Sequence, residues 1–301
     1  MSDPINTPAA GSAAAETMPR LCRFADLLGE VEAAARAAHE SRVNGTPRGP
    51  VTGLKRVDME LAGALPPGPS MLLGNTGTGK TAFALQVAAN CRCPALYVSC
   101  EMSPAELFRR HMARVTGEYL GRFKSGEMLP EVVVQKARQA AEAAPLLSLV
   151  DATRAYASPL YLRDVAEVAR GEARHLLIVV DSLHAWVEGA ATGAPEYDAL
   201  NAGLAVLRVL AHQLTCPVLI ICERNRANIK SGGVNAGAGT RRIEYGAETV
   251  IDLDRKDDAR EDGTGEVEVT LRFLKNRNGA AGKATALRFN GALQRFREAG
   301  A

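Results

Sequence analysis

The sequence predicts an α/β chain: a mostly parallel, doubly wound sheet that ends in antiparallel hairpin strands. Three features of the 301 residues carry this prediction. In "SMLLGNTGTGKTAFALQVAANC", Ser70 to Cys91, an apolar strand-like run passes into a glycine-rich loop and then into a helical pattern. Four further apolar runs, "PALYVSC", "HLLIVVD", "CPVLIIC" and "ETVIDLD", are separated by helical stretches, as parallel strands with crossover helices require. Near the end, "EVEVTLRFLKNRNG" and "KATALRFNGALQRF" alternate between apolar and polar positions, and Asn290-Gly291 supplies a turn, as antiparallel hairpins require.

Taken in order, residues 1–20 form a Pro/Ala/Ser/Thr segment with no hydrophobic period. Such a segment cannot repay the entropy of ordering, so a disordered tail is expected. In "LCRFADLLGEVEAAARAAHE" the spacings of three and four between Leu21, Phe24, Leu28, Val31, Ala35 and Ala38 put one apolar seam on a helix. Two uses of that seam stand open: packing on its own domain, or reaching over the linker "SRVNGTPRGP" to dock on a neighbouring subunit. Helix and linker together take residues 21–50, and the main domain takes 51–299. Within it the first strand after the loop helix delivers Glu101, the next ends in Asp181, and a third ends just before Glu223. Ser103-Pro104-Ala105-Glu106 reads as an N-cap, a proline at the first helical position and a capping-box glutamate. In a doubly wound sheet the carboxyl ends of the strands converge on the edge that also carries the glycine loop.

Bulk properties narrow the field only a little. A hydrophobic fraction of 47% suffices for a packed core, and a net charge of +2 does not by itself announce a nucleic-acid partner. The six cysteines, Cys22, Cys91, Cys93, Cys100, Cys216 and Cys222, have no C-x-x-C spacing, so reduced thiols are expected and a zinc site is not. No apolar run approaches a membrane span and the N-terminus lacks the order of a signal peptide, which points to a cytoplasmic protein with no membrane partner.

The chemistry starts from Gly74-Asn75-Thr76-Gly77-Thr78-Gly79-Lys80-Thr81. Glycines let a backbone curl around a polyphosphate, and the helix that begins at Lys80 aims its free N–H groups and positive dipole end at the same anion. Lys80 is placed to reach the β and γ phosphates of ATP, and Thr81 to put its hydroxyl on Mg2+. Hydrolysis further needs a carboxylate beside the metal and another to activate water. Asp181, at the end of five apolar residues, fits the first role, and Glu101, an isolated carboxylate at a strand end, fits the second. A solvated loop glutamate is the plainer reading of Glu101.

These residues are similar to the RecA-type motor domain of the DnaB-like hexameric replicative helicases. The resemblance runs from near Leu21 to about Glu298 and rests on seven motifs in order: "VTGLKRVDMELAGALPPG", "GKTAFALQVA", "VSCEMSPAELFRRHMARV", "IVVDSLHAW", "CPVLIICERNR", "IEYGAETVIDLDR" and "LKNRNGAAGKATALRFNGALQRF". It implies a RecA-like P-loop fold in which Lys80 and Thr81 serve the nucleotide and Mg2+, Glu101 activates water, and Asp181 is the second-strand aspartate. It also implies that Lys275 and Arg277 form the basic pair that reaches the γ-phosphate of the adjacent subunit, and so a ring of identical subunits, a hexamer. Without the resemblance, "KNRNGAAGK" reads as a solvated hairpin tip.

Two departures limit what the resemblance implies. The family carries a helical N-terminal collar that engages primase and loader proteins, whereas only the short tail precedes the helix here, so contacts through a collar are not expected. At the third strand the family places a glutamine as phosphate sensor, and this chain has Glu223. Two like charges about 4 Å apart repel by roughly 4 kcal/mol at an effective dielectric near 20. Glu223 is therefore expected to turn away, bind a cation, or pair with Arg224 or Arg226. The following segment, "RNRANIKSGGVNAGAGTRR", carries Arg224, Arg226, Lys230, Arg241 and Arg242 with no acidic residue. By the resemblance it contributes channel loops that follow the phosphates of single-stranded DNA; a surface loop that is basic by chance is the alternative. Three functions remain in play: an ATP-driven motor on single-stranded DNA, a RecA/KaiC-like regulatory ATPase acting on a protein partner, and a non-hydrolysing nucleotide-bound scaffold.

Overall fold

The computed structural model describes residues 21–190, 193–224, 246–255 and 265–300. The chain divides into two compact units, Met1–Thr46 and Pro47–Ala301. The tail expected at residues 1–20 lies outside the described residues.

In the first unit a 3-10 turn, Phe24–Leu27, leads into α1, Leu28–Asn44. Asp26 closes the entry by accepting the Arg23 N–H at 3.0 Å. Gly45, at φ 64, ends the helix in the left-handed conformation that glycine adopts at little cost, and its N–H bonds back to Ser41. The helix thus runs into the stretch expected to be linker. Leu21, Phe24, Leu28 and Val31 of the seam are exposed.

The second unit runs α2 (Lys55–Glu60), β1 (Gly68–Gly74), α3 (Lys80–Asn90), β2 (Ala95–Ser99), α4 (Pro104–Thr116), α5 (Arg122–Ser125), α6 (Pro130–Ala143) and β3 (Leu147–Asp151). It continues with α7 (Pro159–Arg170), β4 (Leu177–Asp181), α8 (Leu183–Gly189), α9 (Glu196–Leu214), β5 (Pro217–Glu223), β6 (Thr249–Asp254), β7 (Glu266–Asn276), β8 (Ala284–Asn290) and β9 (Arg295–Glu298). Among the described residues these strands form one nine-stranded sheet in the order β3-β2-β4-β5-β1-β6-β7-β8-β9. Pairing is parallel from β3 to β6 and antiparallel from β6 to β9. The doubly wound sheet and its hairpin extension are as the patterning predicts. The sequence reading has no strand at Leu147–Asp151: β3 is a short edge strand in which only Val150 is buried, so its apolar signal is weak.

Apolar side chains alternate between the two faces. Leu177 and Val179 of β4 and Leu219 and Ile221 of β5 pack with Phe83 and Leu85 of α3, whereas Ile178, Val180, Val218 and Ile220 pack with α7, α8 and α9 through Leu162, Trp186 and Leu207. That two-sided burial makes β1, β2 and β4 continuously buried rather than alternating. Each fully buried large side chain contributes about 1.5–3 kcal/mol. The last hairpin is fastened to the loop helix as well. Phe83 meets Phe296 edge-on at 5.4 Å, Phe296 stacks on Phe289 at 4.3 Å, and buried Gln86 exchanges two 2.9 Å hydrogen bonds with the Phe296 backbone. The antiparallel strands therefore brace the helix that starts the phosphate loop's far side.

One local expectation is corrected at α4. Ser103 Oγ accepts the Glu106 N–H at 3.3 Å, but the Glu106 carboxylate turns to Lys124 at 2.7 Å and Arg109 at 3.3 Å instead of completing a capping box. Charged partners outcompete a single backbone N–H.

Candidate nucleotide site

The glycine loop spans the gap from β1 to α3 at the carboxyl edge of the sheet. Gly77 and Gly79 lie at φ 82 and 91, where a side chain is strained. At Gly79 a Cβ would also stand 3.0 Å from the rings of Phe289 and Phe296, and at Gly74 only 2.7 Å from Thr78 Oγ1. The Lys80 ammonium folds onto the loop and donates to the carbonyls of Gly74 at 3.0 Å and Asn75 at 3.1 Å. Burial pushes its pKa down, while the carboxylates of Glu223, Asp181 and Glu101 pull it back up.

A cavity of about 420 Å³ opens over the loop, bordered by Thr76, Lys80, Thr81, Glu101, Asp181 and Glu223. Strand order brings these groups together: β2, β4, β5 and β1 are consecutive neighbours, so their carboxyl ends stand side by side. Asp181 is 4% exposed and accepts the Tyr97 hydroxyl at 2.6 Å. Burial raises the Asp181 pKa, opposed by hydrogen bonds from Tyr97 and Thr81, with Glu101 raising it and Lys80 lowering it. Ser182 Oγ donates to Glu101 Oε1 at 2.5 Å. A hydroxyl on β2 thus holds the carboxylate of β4, and a hydroxyl just past β4 holds the carboxylate just past β2.

Glu223 is expected from the sequence to turn away, bind a cation, or pair with Arg224 or Arg226; its charge acts on the Lys80 ammonium and raises that group's pKa. Glu223 neither turns away nor pairs with Arg224; it accepts the Thr76 hydroxyl at 3.1 Å and borders the cavity. Arg224 is engaged elsewhere: its guanidinium lies against Asp252, and its Nη1 is 3.3 Å from Asp254. Those two β6 carboxylates raise the Arg224 pKa and take it out of the basic segment proposed to meet phosphates. Arg226, Lys230, Arg241 and Arg242 lie outside the described residues.

Lys275 and Arg277 are not at this cavity. Lys275 pairs with Val250 and Asn276 with Thr249, whereas Gly74 is level with Leu253. The basic pair thus sits roughly 10–16 Å back along the strands, toward their amino edge. There Arg277 Nη1 is 3.0 Å from Glu248 Oε1 while the guanidinium stays half exposed.

Several residues at the site are not legible in sequence. Arg110, Arg255, Phe289 and Gln294 also border the cavity. Tyr97 sits within an apolar run and reads as core, and only the adjacency of β2 and β4 reveals its partner. Ser182 follows Asp181 directly, so a hydroxyl beside a strand-end carboxylate was the available signal.

The donor set fits a magnesium nucleotide. Lys80 supplies a cation, and Thr81 and Asp181 supply a hydroxyl and a carboxylate as hard oxygen donors. A phosphate loop on the carboxyl edge of a doubly wound sheet, with acidic groups on the adjacent strand ends, defines a P-loop ATPase. The chain belongs to the DnaB-like helicase C-terminal domain family, whose model matches residues 49–298, and is thus a helicase-type member of that class. Its fold is similar to a solved structure described as an ATPase domain, with a TM-score of 0.74 at 16% identity over 90% of this chain and 99% of that one. A DnaB-like replicative helicase, described with its interactions with primase, gives 0.73 at 18% identity over 92% of this chain and 67% of that one. The RadB recombinase gives 0.53 at 18% identity over 83% and 99%. These likenesses establish a RecA-like fold. No curated protein sequence matches the chain. Among the described residues no helix is long and apolar enough to cross a membrane.

Proposed function

We propose that the protein is a ring-forming ATPase that couples ATP hydrolysis to movement along, or remodelling of, single-stranded DNA. The observation that carries this reading is the separation of Lys275 and Arg277 from their own cavity. A cation too far to serve its own site, half exposed at the opposite edge, suits the site of a neighbouring copy. Repetition of that contact closes a ring, for which we take six subunits as in the family resemblance. The exposed seam of α1 gives such a ring a second contact, by docking on the next subunit.

Within each site the loop N–H groups and Lys80 bind the polyphosphate, and Thr81 and Asp181 are the residues that would hold Mg2+. A metal held there would supply positive charge that offsets the negative charge building during phosphoryl transfer. Glu101 takes the proton of the attacking water, and Ser182 keeps its carboxylate turned toward the cavity. The remaining basic residues, Arg226, Lys230, Arg241 and Arg242, would meet DNA phosphates without reading sequence.

Glu223 favours a second reading, a regulatory ATPase that reports its nucleotide state to a protein partner. A carboxylate at the sensor position makes coupling to DNA poorer than an amide would. ATPase rate with and without single-stranded DNA, on protein whose oligomeric mass has been measured, separates the two. Stimulation of a ring by DNA supports the motor; a ring that hydrolyses ATP yet neither binds nor responds to DNA at low salt supports the regulator.

A further inference from the structure

We propose that Tyr97 is a positioning residue for the metal side of this site: its hydroxyl fixes the rotation of the Asp181 carboxylate, so that the oxygen not engaged by Tyr97 is turned to the metal. The inference rests on the nucleotide reading above and adds to it a residue that carries no signal in the sequence.

Tyr97 lies in the middle of β2, level with Val179 of β4, and Asp181 is two residues further on, level with Ser99. Two residues along a strand are about 7 Å, which a tyrosine ring spans and which brings the hydroxyl to the carboxylate diagonally. The ring packs in the same core layer as Phe83 and Val179 and is fully buried. A phenylalanine would fill that layer without burying a polar atom. A phenol at 0% exposure is costly unless hydrogen-bonded, and here its hydrogen bond goes to Asp181 Oδ2 at 2.6 Å.

The proton's position follows from the chemistry of the pair. A phenol carries its proton near neutral pH and a carboxylate offers only acceptors, so the Tyr97 hydroxyl is the donor and Oδ2 the acceptor. Asp181 in turn faces Thr81 and Lys80 from α3 and Glu101 from beyond β2. With Tyr97 behind and Thr81 in front, the carboxylate is held between two hydroxyls from different elements. Outer partners of this kind typically set metal affinity by 10- to 100-fold, because they fix ligand orientation.

The test is Tyr97→Phe, read by nucleotide binding rather than by turnover. Affinity for a fluorescent adenine nucleotide is measured in EDTA and across a Mg2+ titration, alongside thermal unfolding. The expected result is EDTA affinity within about two-fold of wild type and a Mg2+ midpoint raised roughly 10-fold or more. 3-Fluorotyrosine incorporated at position 97 keeps the donor and should restore the wild-type midpoint. Its 19F resonance should shift when Mg2+ is added to the nucleotide complex, and this second measurement stands even where Tyr97→Phe fails to fold. An unchanged Mg2+ midpoint in a folded Tyr97→Phe protein, or a 19F resonance indifferent to Mg2+, overturns the role of Tyr97 alone. A wild type with no Mg2+-dependent nucleotide binding overturns the nucleotide reading together with it.

Discussion

Thr76 of the phosphate loop donates its hydroxyl to Glu223 Oε1 at 3.1 Å, across the seam where Gly74 of β1 is level with the last residue of β5. The contact holds a carboxylate against the loop that would receive the terminal phosphate. Bringing another anion within about 4 Å costs up to roughly 4 kcal/mol at an effective dielectric near 20. Glu223 is exposed, so solvent screens most of that.

Glu223→Gln keeps an acceptor for Thr76, removes the charge and adds an amide donor. ATP affinity should rise about 10-fold, equivalent to about 1.4 kcal/mol, and stimulation of turnover by DNA should increase. Titration with a fluorescent ATP analogue and turnover with and without single strands check both. Loss of both quantities would instead make the Glu223 carboxylate a required prop for the loop, and no change would make it a bystander.

Glu101 and Ser182 form a separable pair. Glu101→Gln should retain nucleotide binding and lose turnover by roughly 100-fold or more, the range for removing a general base. Ser182→Ala leaves the base in place with its orientation relaxed, so a drop in kcat of about 10-fold at unchanged KM is expected. Lys80→Ala should abolish binding outright. Equilibrium binding and steady-state kinetics on the purified variants decide the matter, and undiminished hydrolysis by Glu101→Gln would move the base assignment elsewhere.

The parallel strands other than β3 were legible because they are buried on both faces and so appear as unbroken apolar runs, and β7 and β8 because one face is exposed and their sequences alternate. β3 was missed for the opposite reason, being a half-exposed edge strand of five residues. At the site, residues contiguous with a strand end or loop were readable: Lys80, Thr81, Asp181 and Glu101. The partners of Glu223 and Arg224 were not, since they depend on β5 lying between β4 and β1 and on β6 lying beyond β1. Glu223, the last residue of β5, and Arg224, which follows it, divide between a loop threonine and two β6 carboxylates, a split that strand order decides.

Arg277 offers a test of assembly. Arg277→Ala should lower ATPase by roughly 1000-fold, as for a trans-acting arginine, with unfolding little changed because the Glu248 ion pair is half exposed and worth about 1 kcal/mol or less. Mixing it with Glu101→Gln should recover activity, because some interfaces then combine an intact glutamate from one chain with an intact arginine from the next. Mixed rings shown to form by mass, yet inactive, would argue that Arg277 serves no neighbouring site.

Away from the cavity, His111 on α4 predicts how stability falls in mild acid. It is buried at 3% exposure, with Nε2 3.0 Å from the Ala140 carbonyl of α6 and Nδ1 3.1 Å from the Arg114 guanidinium. Arg114 can only donate, so Nδ1 accepts and the ring is the neutral form with its proton on Nε2. A second proton would have to sit on Nδ1 against that cation, in a buried place. Burial first, then Arg114, lowers the His111 pKa to about 4, with the Ala140 contact opposing. The unfolded chain, near 6.5, therefore takes up a proton that the folded protein refuses. Stability from this group is complete above about pH 6.5 and is lost as pH falls from there toward 4, by about 2 kcal/mol between pH 7 and 4.5. His111→Gln has no such titration. Urea unfolding of both proteins at the two pH values should show the variant destabilised at neutral pH and the gap closing by about that amount in acid. A gap that stays constant would mean His111 titrates alike in both states and that the ring is not held neutral between α4 and α6.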